Sequence, residues 1–239
     1  MIDWDDEAGH FAEHWARLAD PARDAVAGAL GPDPRVLDVG CGSGDFLARW
    51  TDATGIDVSP RMIELARRRA PHAALHVGRG DRLPFADGEF DAVTGFNSLQ
   101  YTGDPVGALR EWGRVARESV AVCAWAEPER CEVDVVEAAL RELGGATAAP
   151  ALGPRLEAVA RDAGLPVLAA GEVQVPYEVA GQEELEVAFL MDARGYGALD
   201  AAGEPAARAA ITAAAAPFRR PDGGYRFENV FRWVLASPG

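Results

Sequence analysis

Glycine alternates with small residues in the stretch whose residue types and spacing most clearly suggest chemistry, Gly40-Cys41-Gly42-Ser43-Gly44. This loop follows a short β-branched run over residues 35–40, which predicts a buried strand. Alternating glycines permit a tight turn and let a ligand lie directly against the main chain. Because ligands of open parallel sheets bind at the carboxyl ends of the strands, we expect the glycine loop to bind a ligand.

A carboxylate stands near the end of the second predicted strand, residues 53–58. Asp57 lies about 20 residues beyond the first strand, where a carboxylate can accept two hydrogen bonds from the hydroxyls of a ribose. Ser59 and Pro60 then supply a helix N-cap and the first helical residue. The alternative interpretation is an ordinary strand-to-helix turn with a capping serine.

Dinucleotides are one class of ligand that such a loop could bind, through the pattern Gly-x-Gly-x-x-Gly. Counted from Gly40, the third glycine would fall on Asp45, and counted from Gly42 it would fall on Leu47. An aspartate at this helix N-terminus would also repel a pyrophosphate. The spacing therefore disfavours a dinucleotide.

Three stretches resemble motifs of the class I S-adenosylmethionine-dependent methyltransferase family, in its small-molecule branch with a type-11 domain. Residues 36–44 are similar to the first motif, residues 55–62 to the second, and residues 83–91 to the stretch that enters the fourth strand. The resemblance is close from residue 35 to about residue 125 and concerns architecture alone beyond that. It implies an enzyme that transfers a methyl group from S-adenosylmethionine to a small molecule and releases S-adenosylhomocysteine.

The resemblance also implies which residues bind the cofactor. The glycine loop would pack against its amino-acid part and ribose, and Val58 and Met62 would flank the adenine. Phe96 and Asn97 would border the cofactor, and Phe11 would close over it. The implied cofactor-binding residues are Asp38, Gly40, Cys41, Gly42, Ser43, Gly44, Asp57, Val58, Met62, Gly80, Asp81, Phe96, Asn97 and Phe11.

The sequence departs from the family pattern in two places. The family usually has an acidic residue five positions before Pro84, where it contacts the adenine amino group, and this sequence has Arg79 there. Asp81, two residues further on, is the candidate that replaces it from a shifted loop. The Pro-Gly-Gly turn before the fifth strand is also replaced, by Arg117-Glu118-Ser119.

Catalytic roles are predicted for side chains near the transferred methyl group. Gln100 and Tyr101, after the fourth strand, are expected to orient the acceptor. The alternative interpretation is a loop whose aromatic and amide side chains only pack on a lid. No histidine follows His76, so the late base histidine of many O-methyltransferases is missing. His14, or its neighbour His10, is the candidate base on the N-terminal helix. We expect proximity to dominate and base catalysis to be weak.

The pattern of apolar residues predicts an α/β fold with a Rossmann-like, doubly wound sheet of seven strands and helices on both faces. The sheet is expected to be mostly parallel, with an antiparallel last strand. The two long strands near the end, residues 167–179 and 226–235, are expected to form an antiparallel addition at one edge. Pro176 makes the strand over residues 167–179 an edge or bent strand. Residues 45–50 are expected to start a helix. We predict a single domain over residues 1–239, with a helical cap over 1–31, a linker over 144–154 and a helical lid over about 181–217.

The composition disfavours several classes of function. The formal net charge of −15 disfavours nucleic acid as a partner, and we expect the basic run over residues 67–69 to complement a helix dipole. All basic residues are arginine, which excludes a lysine nucleophile or Schiff base. Cys41, Cys123 and Cys131 do not have metal-ligand spacing, and each histidine pair, 10/14 and 72/76, lacks a third ligand in the sequence. We therefore predict no metal.

No apolar run approaches the roughly 20 residues that span a bilayer, and the acidic N-terminus differs from a signal peptide. We therefore expect a cytoplasmic protein without a membrane partner, as a monomer or homodimer.

The predicted lid carries the apolar side chains of Phe189, Met191, Tyr196 and Phe218, which suit a small hydrophobic acceptor. The abundance of Arg, Ala, Gly and Pro is typical of GC-rich genomes and suggests a natural-product intermediate, methylated on O, N or C. Two alternatives stay open. One is a relative that keeps the cofactor but catalyses a cyclisation or pericyclic step, and the other is a non-catalytic module that binds the cofactor.

Overall fold

A computed structural model describes residues 4–144, 151–191 and 193–239. The strands are β1 (Val36–Val39), β2 (Ala53–Asp57), β3 (Ala74–Val77), β4 (Phe90–Phe96), β5 (Ala116–Trp125), β6 (Val167–Gln174), β7 (Tyr177–Val179), β8 (Tyr225–Phe227) and β9 (Val230–Ala236). The helices are α1 (Trp4–His14), α2 (Asp20–Leu30), α3 (Pro60–Arg69), α4 (Pro105–Val115), α5 (Val133–Gly144), α6 (Leu156–Asp162), α7 (Gln182–Leu190), α8 (Ala193–Ala202) and α9 (Glu204–Ala215).

Seven strands form the main sheet in the order β3-β2-β1-β4-β5-β9-β6. The pairs from β3 to β5 are parallel, and β9 is antiparallel to both of its neighbours. The prediction of a mostly parallel seven-stranded sheet with an antiparallel last strand is confirmed. The expected antiparallel addition at one edge is also found, with β9 between β5 and the edge strand β6. The strand order reverses between β1 and β4, so their carboxyl ends border the crevice where ligands bind in such sheets.

Helices cover both faces of the main sheet, as predicted. On one face α4 packs against β4 and β5 and α6 packs against β6 and β9, and the core there includes the fully buried side chains of Leu37 and Trp112. On the other face α2 and α3 pack around Val36 and Phe46. Neighbouring residues of β1 therefore enter opposite cores, as the alternation of side chains along a strand requires.

The strand predicted over residues 167–179 is two strands, β6 and β7. The break falls at Pro176, which has no N–H to donate to a ladder. After the break, β7 leaves the main sheet and pairs antiparallel with β8 in a separate hairpin. The last predicted strand is likewise divided into β8 and β9, whereas β6 is the edge strand that the proline predicted.

The prediction that a helix starts at residue 45 is wrong, because only a single 3-10 turn forms there, over Leu47–Arg49. Phe46, Leu47 and Trp50 are all buried under the loop. Only six residues separate Gly44 from Thr51. So short a segment forms too few hydrogen bonds to offset the unfavourable nucleation of an α-helix.

Helices also occupy the regions predicted as cap and lid. In the predicted cap, α1 packs against α3, and in the predicted lid, α8 and α9 pack against α5. Residues 145–150 of the predicted linker and residues 1–3 of the predicted cap lie outside the described residues. In the stretches 4–144, 151–191 and 193–239, no helix combines the length and the hydropathy needed to cross a bilayer.

Candidate active site

The glycine loop turns sharply at the carboxyl end of β1. Gly40, Gly42 and Gly44 have φ angles of +71°, +51° and +83°, a region that side chains other than glycine rarely adopt. A Cβ on Gly40 would lie 2.4 Å from the Cβ of Ser98. The N–H groups of Gly40 and Cys41 both donate to the carbonyl of Ile56, at 2.8 and 3.1 Å. The loop is therefore fixed against β2, and its bare backbone faces the crevice.

Asp57 is buried at the end of β2 and connects that strand to the glycine loop. One carboxylate oxygen accepts from the N–H of Gly42 at 2.9 Å, and the other accepts from the N–H of Ser59 at 3.0 Å. Burial raises the pKa of the Asp57 carboxyl, and these two N–H groups counteract the rise. A carboxylate offers about four lone-pair sites. Each oxygen of Asp57 can therefore accept a further hydrogen bond, as a ribose diol requires.

The N-terminal helix α1 closes over this end of the crevice. Ser59 caps α3 by accepting from the N–H of Met62 at 3.0 Å, and its hydroxyl donates to Asp5 of α1. The ring of Trp4 lies edge-on to Tyr101, with ring centroids 5.0 Å apart. A covering helix excludes water from the site beneath it, which strengthens electrostatic interactions there.

The candidate adenine contact, Asp81, already has a partner. Arg79 donates to both carboxylate oxygens of Asp81, with an Nε–Oδ1 distance of 2.9 Å. This pairing lowers the pKa of the Asp81 carboxyl. A Cβ on the intervening Gly80 would lie 2.7 Å from Val39. The loop thus presents an ionised carboxylate to the cavity that Asp57 also lines, although Arg79 competes for its lone pairs.

A cavity of about 880 Å³ extends from the glycine loop to the ends of β4, β5 and β9. This volume lies within the roughly 300–1,000 Å³ that is usual for small-molecule sites. The predicted site residues that line the cavity are Phe11, Gly40, Gly42, Asp57, Val58, Met62, Gly80, Asp81, Phe96, Asn97 and Tyr101.

Six other predicted site residues do not line the cavity: Asp38, Cys41, Ser43, Gly44, Gln100 and His14. The Cys41 side chain is buried beneath the loop, where burial raises the pKa of its thiol well above 9.0. Ser43 donates to Asp45, which pairs with Arg69 at 2.7 Å. The ring of His14 packs against that of His10, with centroids 4.7 Å apart.

Asn97 combines an uncommon backbone conformation with an unsatisfied polar atom. Its φ angle is +52°, and its N–H donates to the carbonyl of Cys123 at 2.9 Å. The side-chain oxygen Oδ1 is buried and accepts no hydrogen bond from the described residues. An unpaired buried acceptor costs free energy, and a ligand with N–H donors would remove that cost.

An aromatic wall closes the end of the cavity opposite the glycine loop. Trp15, Trp125 and Phe231 line it together with Phe96. The predicted lid aromatics are absent from the residues described as lining the cavity. The fully buried Phe189, for example, packs edge-on against Trp15, with centroids 5.3 Å apart. The wall therefore belongs to the strand ends and the segment after α1.

Sequence reasoning missed several cavity residues: Glu7, Arg23, Trp125, Glu137 and Phe231. Trp125 could have been found, because it ends a predicted strand at the edge of the sheet where ligands bind. Glu7, Arg23 and Glu137 look like ordinary helical charges in the sequence. Only the packing of α1, α2 and α5 shows that they face a cavity.

Asp38 lies in β1 just before the glycine loop, and its protonation should be visible in stability measurements. Burial raises the pKa of its carboxyl from 3.8 to about 7, although Thr94 donates to it at 2.8 Å. Between about pH 4 and pH 7 the folded protein therefore holds a proton there that the unfolded chain has lost. The free energy of unfolding therefore contains a contribution from proton binding at Asp38. This contribution falls as the pH rises through that window and is constant above it.

We expect Asp38→Asn to remove this contribution. At about 1.4 kcal/mol per pKa unit, the stability of the variant relative to the wild type should rise by up to about 4 kcal/mol between about pH 4 and pH 8. Urea denaturation at several pH values measures the difference. A stability difference that does not vary with pH would contradict the raised pKa.

The residues present fit S-adenosylmethionine. The bare loop at Gly40 accommodates a ligand against the backbone, Asp57 can accept from a ribose, and the unsatisfied Asn97 oxygen suits an ammonium group. Carboxylates at residues 5, 57 and 81 line the cavity, which favours the cationic sulfonium and ammonium groups. Within the described stretches, no group of three or more His, Cys, Asp or Glu side chains is placed to hold a metal ion.

Comparisons with known proteins agree with this geometry. Residues 37–124 match the model of a family described as a methyltransferase domain. The chain is 41% identical to a demethylmenaquinone methyltransferase of Beutenbergia cavernae over 101 residues, which are 40% of this chain and 42% of that protein. It is 34% identical to the 27-O-demethylrifamycin SV methyltransferase of Amycolatopsis mediterranei over 125 residues, 48% of this chain and 45% of that protein.

The chain therefore spans less than half the length of these two curated relatives. Among solved structures, the (4+2)-cyclase SpnF has a TM-score of 0.57 at 24% identity and covers 94% of this chain and 84% of that chain, which shows a shared fold. Residues 37–124, which include the glycine loop and Asp57, are therefore similar to a methyltransferase domain.

Proposed function

We propose that this protein transfers a methyl group from S-adenosylmethionine to a small-molecule acceptor through an O, N or C nucleophile. The observation that carries the proposal is a single cavity with two chemically different ends. The glycine loop and Asp57 bound one end, whereas the aromatic side chains of Trp15, Trp125 and Phe231 bound the other. A cofactor at the first end and an acceptor at the second would be neighbours.

The protein's own contribution would consist mainly of binding, orientation and exclusion of water. The cofactor supplies a methyl group that is already electrophilic because it is bonded to a sulfonium. Asp57 and the glycine loop would fix the adenosyl and amino-acid parts, and the Trp4–Tyr101 contact would close the entrance. Holding two reactants in line can supply most of a barrier reduction without a strong base.

The acceptor we propose is a natural-product intermediate. The aromatic wall supports an apolar, partly flat molecule, and one relative is named for a rifamycin substrate. The free, buried cysteines support a reducing location such as the cytoplasm. Tyr101, which is half exposed at the entrance, is the predicted residue best placed to orient the acceptor, whereas Gln100 would act only through its loop.

The proposal is tested by incubating the full chain with methyl-labelled S-adenosylmethionine and a panel of aromatic and polyketide-like acceptors. We expect label in a product and equal formation of S-adenosylhomocysteine. Conversion of an acceptor without incorporated label would instead establish the cyclisation alternative. Tight cofactor binding with no conversion of any acceptor would favour the non-catalytic module.

Base catalysis by the N-terminal histidines is expected to be weak. His10 donates from Nε2 to the carbonyl of Ala188 at 2.9 Å, and His14 does not line the cavity. A general base typically contributes 10²–10⁴-fold to a rate. We therefore expect His10→Ala and His14→Ala to keep kcat within about tenfold of the wild type in the labelled-methyl assay. A larger loss in either variant with intact cofactor affinity would show that the histidine is a base.

A further inference from the structure

A buried arginine lies in the acceptor half of the cavity. Arg23 of α2 lines the cavity, and its side chain is only 8% exposed. Its guanidinium lies over the ring of Phe96, 5.8 Å from the centroid. Phe96 ends β4 next to Asn97, so this cation stands close to the expected border between cofactor and acceptor.

The protein provides hydrogen-bond acceptors for only some of the N–H donors of this guanidinium. Nη1 donates to the carbonyl of Ala16 at 2.7 Å and to Asp20 at 3.0 Å. Nε is buried and has no hydrogen-bond partner among the described residues. A guanidinium has five N–H donors, and both bonds recorded here use the same nitrogen. The Asp20 carboxylate is 41% exposed, which weakens it as a counter-ion because water screens it.

Among the described residues, no hydrogen bond joins Arg23 to an ionisable group other than Asp20. Arg23 interacts electrostatically with Asp38 and Cys123, which lie on β1 and β5. Asp38 accepts its hydrogen bond from Thr94 instead. Across the cavity stand Glu7 and His10 on α1 and Glu137 on α5. Glu137 pairs with Arg141 at 3.4 Å, and the His10 Nε2 donates to a backbone carbonyl. Unused donors therefore remain on a desolvated cation.

We propose that Arg23 binds an anionic oxygen on a planar aromatic acceptor, either a phenolate (or conjugated enolate) or an aryl carboxylate, and so determines the class of substrate. The proposal rests on the proposed methyltransferase function and makes it more specific. The aromatic wall receives the flat ring, while the guanidinium receives the oxygen. Charge-assisted hydrogen bonds of this kind are about twice as strong as neutral ones.

Such an arrangement agrees with weak base catalysis. A positive charge beside a phenol stabilises the ionised form, so the acceptor would bind with its proton already lost to solvent. Arg23 is then a residue that touches the substrate without exchanging a proton with it.

The test uses the full chain loaded with S-adenosylhomocysteine, and two probes of similar shape, 4-nitrophenol and 4-nitroanisole. At a pH where 4-nitrophenol is ionised, we expect the wild type to bind the phenolate more tightly than the neutral ether. Arg23→Gln should weaken phenolate binding by about 10- to 100-fold and change ether binding little. Absorbance of bound 4-nitrophenol should also show a lower apparent pKa of the phenol in the wild type than in this variant. Benzoate and benzamide, compared in the same way, distinguish a carboxylate site from a phenolate site.

Asp20→Asn is the matched control, because it removes the counter-ion and keeps the guanidinium. We expect it to tighten phenolate binding and leave ether binding unchanged. Arg17→Gln, an exposed charge in the 3-10 helix before α2, should change neither. If Arg23→Gln fails to fold, Asp20→Asn decides, because phenolate binding that is not tightened relative to the ether would contradict the proposal. No preference for either anion over its neutral partner in the wild type, or equal losses in Arg23→Gln and Asp20→Asn, would overturn the proposal. The titrations are repeated without S-adenosylhomocysteine, so that anion binding is measured independently of the cofactor. The labelled-methyl assay measures methyl transfer separately, and the two results distinguish a failure of anion binding from a failure of the proposed function.

Discussion

Asp57→Ala is expected to lower the affinity for S-adenosylhomocysteine by at least about 100-fold. Two hydrogen bonds from ribose hydroxyls to a carboxylate would be lost, each worth about 1.5–3 kcal/mol. The substitution also removes the acceptor for the N–H groups of Gly42 and Ser59, which loosens the glycine loop. Isothermal titration calorimetry on the folded variant measures the loss.

Two further variants separate the proposed contact from general charge effects. Asp57→Asn keeps the shape and one acceptor oxygen, so we expect an affinity between those of the wild type and Asp57→Ala. Asp52→Ala removes an exposed carboxylate just before the same strand. The Asp52 carboxylate pairs with Arg35 at 3.8 Å, and its loss should leave the affinity for S-adenosylhomocysteine unchanged. Equal affinity of Asp57→Ala and the wild type would remove Asp57 from the cofactor site.

Gly40→Ala is expected to reduce the free energy of unfolding by about 2–5 kcal/mol. A left-handed backbone costs other residues roughly 1–2 kcal/mol, and φ at Gly40 is +71°. The new Cβ would also lie 2.4 Å from the Cβ of Ser98, an overlap that typically costs about 1–3 kcal/mol. Urea denaturation measures the change, and cofactor affinity should fall with it because the loop must shift.

Gly28 offers a matched control within the same chain. It lies inside α2, and a Cβ there would have nothing within 4 Å. Gly28→Ala is therefore expected to raise the free energy of unfolding by about 0.5–1 kcal/mol. In the double variant Gly40→Ala/Ser98→Gly, the overlap is relieved while the strained φ stays, so part of the stability should return. A Gly40→Ala protein as stable as the wild type would show that the loop does not need a glycine there.

The parts of the fold that local pattern determines could be predicted from the sequence. β1, β2 and α3 follow from apolar runs, a serine cap and a proline at the first helical position. The resemblance placed Asp57 beside the glycine loop, and the structure shows the Gly42 N–H bonded to its carboxylate. Such features depend on neighbours in sequence or on one strand pairing.

The parts that depend on tertiary packing could not be predicted. Nothing in the sequence shows that β9 inserts between β5 and β6, because periodicity does not reveal which strands pair. Arg23 looks like a surface residue of an alanine-rich helix, and its burial depends on where α2 crosses the sheet. The aromatic wall could not be predicted either, because Trp15, Trp125 and Phe231 come from three segments that are distant in sequence. The acceptor end of the site is therefore the part that needed a structure.

A crystal structure of the full chain with S-adenosylhomocysteine tests the central claim most directly. We predict the ribose hydroxyls within hydrogen-bond distance of the Asp57 carboxylate, the amino-acid part against the backbone of Gly40 and Gly42, and the sulfur facing the cavity beside Phe96. A ligand bound elsewhere, with Asp57 contacting only the N–H groups of Gly42 and Ser59, would contradict the account.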